Sequence, residues 1–112
     1  MLAGLYDAPP WFGACPDTGN YPDGTWEDGI AVMAPYALGT HIKVSAYGDD
    51  GWQPQLGSDG VDRSSNLKTI LAALKAANYA GPFCIEQGVS EDDLGASATG
   101  AVAYVKKLLA AM

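Results

Sequence analysis

The chain has 112 residues, enough for one small domain that buries about two-thirds of its unfolded surface. Hydrophobic residues make up 48% and charged residues 17%, which excludes a disordered chain. Thirteen acids against six bases leave a formal net charge of −7, so neither nucleic acid nor an anionic membrane is an expected partner. No apolar run approaches the roughly 18 residues of a membrane span. The N-terminus lacks the basic-then-apolar pattern of a secretory signal. Two cysteines, Cys15 and Cys84, make no disulfide framework, and a reduced, cytoplasmic protein is expected.

Met1 to Tyr6 read as the tail of a helix, broken by Asp7-Ala8-Pro9-Pro10. Phe12 to Asp17 read as a short strand, followed by a loop from Thr18 to Gly24. Thr25 with Asp28 suggests a capping box opening a helix from Trp26 to about Ala34, which Pro35 ends. Gly39 to Ala46 alternate in polarity as a strand does, and Tyr47 to Arg63 form a long Gly- and Asp-rich loop. Ser64 or Ser65 is placed to cap a helix whose Leu67, Ile70, Leu71 and Leu74 fall on one face; Tyr79-Ala80-Gly81 closes it. Pro82 to Glu86 read as a third strand. Ser90 is placed to cap a last helix, with Leu94, Ala98, Val102, Val105, Leu108 and Leu109 inward and Gly95 and Gly100 weakening its first half.

This β-α-β-α-β-α order predicts an α/β fold of a single domain over 1–112, with three parallel strands and right-handed crossovers. The strand faces choose between an open doubly wound sheet and part of a barrel. One face carries Phe12, Ala14, Thr40, Ile42, Val44, Phe83 and Ile85. The other carries Gly13, Cys15, Asp17, Gly39, His41, Lys43, Ser45, Pro82, Cys84 and Glu86. A doubly wound sheet needs apolar residues on both faces. A (β/α)₈ barrel interior ending in a polar mouth fits this pattern better.

On that polar face Asp17 and Glu86 each end a strand and His41 lies mid-strand. Two carboxylates and an imidazole suit Mn²⁺, Mg²⁺, Co²⁺ or Zn²⁺. The same residues also read as a hydrogen-bonded core histidine beside ordinary loop-edge acids, and spacing leaves both open. Lys43 faces the same way, either to stabilise negative charge on a substrate or to pair with a neighbouring carboxylate. In the long loop, Tyr47 and Trp52 are candidates to meet a substrate, although packing the loop down suits Trp52 better. Cys15 and Cys84 share a face and, if the Gly39–Ala46 strand lies between them, stand two strands apart, roughly 9–10 Å, too far for a disulfide. They read as small interior fillers.

The segments Cys15-Pro16-Asp17-Thr18-Gly19-Asn20, Met33-Ala34-Pro35-Tyr36-Ala37, His41-Ile42-Lys43, Gly60-Val61-Asp62 and Asn78-Tyr79-Ala80-Gly81-Pro82-Phe83-Cys84-Ile85-Glu86 stand in this order. Together they resemble the sugar phosphate isomerase/epimerase superfamily, the xylose isomerase-like TIM barrels, over Phe12 to Glu86. The resemblance implies the sixth to eighth βα units of such a barrel. It implies that Asp17, His41 and Glu86 are three of four metal ligands, with the fourth on a fifth strand this chain lacks. It further implies proton transfer by Glu86, through an enediolate, on a sugar or sugar phosphate. Asn20 stands where the family often carries a histidine; with Tyr47 and Trp52 it is a candidate sugar contact.

Three functional readings follow. One is an isomerase/epimerase that is incomplete as this chain alone. Another is a non-catalytic sugar- or metal-binding module of the same barrel. The third is a relative of the barrel endonucleases that repair DNA, which the net charge disfavours. Strands at the open edges predict self-association.

Overall fold

The structure is a computed structural model and describes residues 10–87 and 95–112. Among the described residues it is a mixed α/β fold with three α-helices and two small sheets. In chain order it holds α1 (Trp26–Met33), a 3₁₀ turn (Ala34–Tyr36), β1 (His41–Ile42), β2 (Trp52–Gln53), β3 (Ser65–Asn66), α2 (Leu67–Ala76), β4 (Cys84–Ile85) and α3 (Ala96–Ala110). The expected helix tail at Met1–Tyr6, the break at Asp7–Pro9, and the Ser90 cap and Leu94 lie outside the described residues.

The parallel sheet is smaller than the sequence suggests. β1 pairs with β4 in parallel, His41 opposite Cys84. Phe12–Asp17 is an extended segment rather than a strand, tied alongside by isolated parallel bridges at Ala14–Ala37 and Asp17–His41. Pro16 within it has no N–H to give, yet its carbonyl accepts from His41 N at 2.9 Å. The Gly39–Ala46 segment lies between the other two, but among the described residues no ladder of three strands and no closed barrel forms.

Beyond Ile42, polar side chains take over from strand pairing. Thr18 Oγ1 accepts from Lys43 N at 2.9 Å. Gln87 Oε1 accepts from Val44 N at 2.6 Å and its Nε2 donates to Val44 O at 2.8 Å. On the next residues, Gln53 Oε1 accepts from Ser45 N and Ala46 N, and its Nε2 donates to Ala46 O and Gly51 O. Each amide reproduces the donor and acceptor of a missing strand residue, so the buried backbone stays satisfied.

The long loop has structure of its own. β2 pairs antiparallel with β3, Trp52 opposite Asn66, and a bridge joins Leu56 to Asp62. Gly51 is required at its corner: its φ is +81°, and an added Cβ would lie 2.6 Å from Lys68 Cβ.

Helix ends differ from the sequence reading in their caps. Thr25 makes no side-chain cap; its hydroxyl donates back to Pro22 O at 2.7 Å, closing the preceding turn. Asn66 rather than Ser64 or Ser65 caps α2, accepting from Thr69 N at 2.9 Å. The serines are spent elsewhere, Ser65 Oγ on Thr18 O and Ser64 Oγ on Gln55 N. Asn78, at φ +59°, ends α2, with Tyr79 N reaching Leu74 O and Asn78 N reaching Lys75 O. This is a left-handed helix cap, placed one residue before Tyr79-Ala80-Gly81.

The apolar face packs as expected. Ile42, Val44, Leu67, Leu71, Ala101, Tyr104, Val105 and Leu108 form one core between the central segment, α2 and α3. Trp26, Ile30, Ala34, Ile70 and Leu74 form a second between α1 and α2. Two positions depart: Phe12 is 53% and Val102 39% exposed. Both lie at the flanks, where no described element covers them. Among the described residues, no helix is long and apolar enough to cross a membrane.

Candidate metal centre

Alternation along the extended segments creates the site. Pro16 and Thr18 turn inward, leaving Cys15 and Asp17 on the open side; Ile42 and Val44 turn inward, leaving His41 and Lys43 there; Glu86 lies on that side of the last segment. Because Asp17 bridges to His41 and His41 pairs with Cys84, the three segments converge side by side at their C-terminal ends.

Ligand atoms of Asp17, His41 and Glu86 all lie within 4.8 Å of one another. His41 Nδ1 is 2.7 Å from Glu86 Oε2 and 3.6 Å from Asp17 Oδ2. Asp17 is the sheltered member, its side chain 14% exposed, while His41 and Glu86 are about half exposed. Gly19 N donates to Asp17 Oδ1 at 3.0 Å, fixing the carboxylate.

Lys43 completes the cluster. Its Nζ is 2.6 Å from both Asp17 oxygens and 3.7 Å from Glu86 Oε1. This is the carboxylate pairing anticipated for a sheltered lysine. Gly19 makes room for it: a Cβ there would lie 2.5 Å from Lys43 Cδ. Negative charge also reaches Cys15, whose thiol is pushed above its usual range by burial first and by Asp17 second. Neither cysteine is an interior filler, since the polar face is open and both are exposed.

Metal–ligand bonds of about 2.0–2.2 Å place neighbouring ligand atoms roughly 3–3.5 Å apart. The spacings here bracket that range, so two carboxylates and one imidazole fit a divalent cation, provided Lys43 yields part of its hold on Asp17. The candidate sugar contacts are less gathered. Asn20 is exposed beside Asp17, its N–H 3.3 Å from Asp17 O. Trp52 is 44% and Tyr47 52% exposed. The Tyr47 ring stands edge-on to Tyr104 at 5.3 Å, and no hydrogen bond or ring contact among the described residues joins either aromatic to the triad.

No family model, curated protein or solved structure matches this chain. The positioning residues Thr18, Gly19, Gln53 and Gln87 escaped the sequence reading. Only Thr18 and Gly19 carry a signal there, through their adjacency to Asp17.

Proposed function

We propose that this chain carries the divalent-metal site of a sugar or sugar phosphate isomerase/epimerase, with the three segments as the sixth to eighth βα units of a xylose isomerase-like barrel. The observation that carries it is the convergence of Asp17, His41 and Glu86 at the C-terminal ends of three adjacent parallel segments, where such barrels place their chemistry. The ordered motifs of the resemblance support the same reading.

Asp17, His41 and Glu86 would hold Mn²⁺, Mg²⁺, Co²⁺ or Zn²⁺. When bound, the cation supplies a Lewis-acidic charge that polarises a substrate carbonyl and its neighbouring hydroxyl. Glu86, half exposed and with one oxygen facing Lys43, is the group placed to take a proton from the carbon beside that carbonyl. Lys43 steadies Asp17 and sets a positive charge where negative charge develops on the substrate. Asn20, Trp52 and Tyr47 offer an amide and two exposed rings for the sugar.

A second reading, a binding module without turnover, is favoured by the close pairing of Lys43 with Asp17, which already neutralises that carboxylate. Deuterium exchange separates the two. In D₂O with Mn²⁺ and a panel of aldoses and ketoses, proton abstraction would place deuterium beside the carbonyl, and Glu86→Gln would abolish it. Sugar or metal binding with no incorporation would leave the module reading.

A further inference from the structure

β4 is bonded on one side only among the described residues. Glu86 N donates to Ile42 O at 2.9 Å. Strand alternation therefore turns the N–H and C=O of Ile85 outward. Beside this edge lies an apolar groove of about 280 Å³, lined by Phe83, Ile85, Val102, Val105, Lys106 and Leu109.

The opposite side of the molecule has the complementary edge. Ala14 N and O are spent on Tyr36 O and Leu38 N, so Cys15 turns its N–H and C=O outward. On the outer flank of α1, Val32 is 54% exposed, with Asp28 beside it. Charges match as well. α1 carries Glu27 and Asp28 and no base, while α3 carries Lys106 and Lys107 and no acid. Lys107 pairs with Asp49, and Lys106 has no ion pair among the described residues.

The chain already contains this arrangement once. Its 12–17 segment lies parallel beside the central segment, and acidic α1 packs against α2, which bears Lys68 and Lys75 and no acid. We propose that a second copy of this chain docks head-to-tail on the β4–α3 edge, laying its 12–17 segment parallel to β4 and its α1 against α3. A second copy carries both the strand edge and the acidic helix that this surface would take.

The outward-facing groups allow Cys15 of the second copy to stand opposite Cys84 or Glu86, and the first of these registers is the one proposed. Cys15 of the second copy sits opposite Cys84, and Asp17 of the second copy then sits opposite Glu86, one strand spacing or about 4.8 Å away. The seam thereby brings the Asp17 carboxylate of one copy beside the triad of the next, a step that rests on the cation reading above. The docking itself does not. Such a heterologous contact closes into a ring or propagates.

The two cysteines test it directly. Within one chain they are separated by two strand spacings, roughly 9–10 Å, outside the reach of a disulfide. Between docked copies they are adjacent. Cys15→Ser and Cys84→Ser chains are mixed in EDTA, oxidised mildly with diamide, and analysed by non-reducing electrophoresis and peptide mass spectrometry. The expected result is a dimer joined through Cys15 and Cys84 in the mixture and little from either variant alone. Lys106→Glu should slow that link by about tenfold, and Asp28→Lys in the other chain should restore it. Absence of the mixed link, or links between like cysteines forming as readily in the separate variants, would overturn the head-to-tail mode. Metal titration of the same samples reports separately on the cation site.

Discussion

The two faces of the extended segments use one backbone for opposite ends. Thr40, Ile42 and Val44 are buried, with Ile42 at 0% exposure, whereas His41, Lys43 and Ser45 between them stay partly or fully open. The buried side is fixed by close packing against α2 and α3. The open side is fixed by charge pairs among Asp17, Lys43, His41 and Glu86. Stability and the proposed site are thus written on alternate residues, and each should be alterable with limited effect on the other.

The sharpest test of that separation is Leu71→Ala. Leu71 is fully buried beside Ile42 and Leu67, so its truncation should cost about 3 kcal/mol of stability by denaturant unfolding. Mn²⁺ affinity of the chain that remains folded should hardly change; a large loss of affinity would break the comparison. Asp17→Asn probes the other face. It should weaken Mn²⁺ binding about 100-fold by calorimetry while shifting the unfolding midpoint little, because Lys43 can turn to water or to Glu86. A collapse of the fold would mean that the charge pairs also carry the core.

Tyr21 links the two faces. Burial, and then the charge of Asp17, push its phenol up to about 12 from the ordinary 10.0. The folded state therefore favours the neutral phenol. Its contribution is full below pH 10 and is lost as pH rises towards 12. Stability should fall by about 2 kcal/mol across that window, and Tyr21→Phe should flatten the fall. An unchanged slope in the variant would assign the alkaline loss elsewhere, for instance to Tyr79 and Tyr104, which are raised in the same sense.

Much of this was legible from residue pattern. The α2 stripe of Leu67, Ile70, Leu71 and Leu74 and the alternation around His41 each declare a face. Asp17, His41 and Glu86 were legible as a set because all three fall on the polar phase of that alternation. Caps were not, since Ser64, Ser65 and Asn66 are chemically interchangeable at a helix start and only tertiary partners decide among them. The glutamine pairing also left no trace. Gln53 and Gln87 act through backbone groups distant in sequence, and nothing local distinguishes them from solvated residues. The β2–β3 pair was missed because two-residue strands are too short for a period to show.

His41 is the sole histidine, so its imidazole is a single-residue reporter of the proposed centre. The most direct measurement is ¹H–¹⁵N imidazole NMR of the chain titrated with Zn²⁺ and then, separately, with Mn²⁺. The account predicts that Zn²⁺ shifts Nδ1 far more than Nε2, that Mn²⁺ broadens the signals at substoichiometric levels, and that both effects vanish in Glu86→Gln. An imidazole spectrum indifferent to both metals at millimolar concentration, with the fold intact, would contradict it.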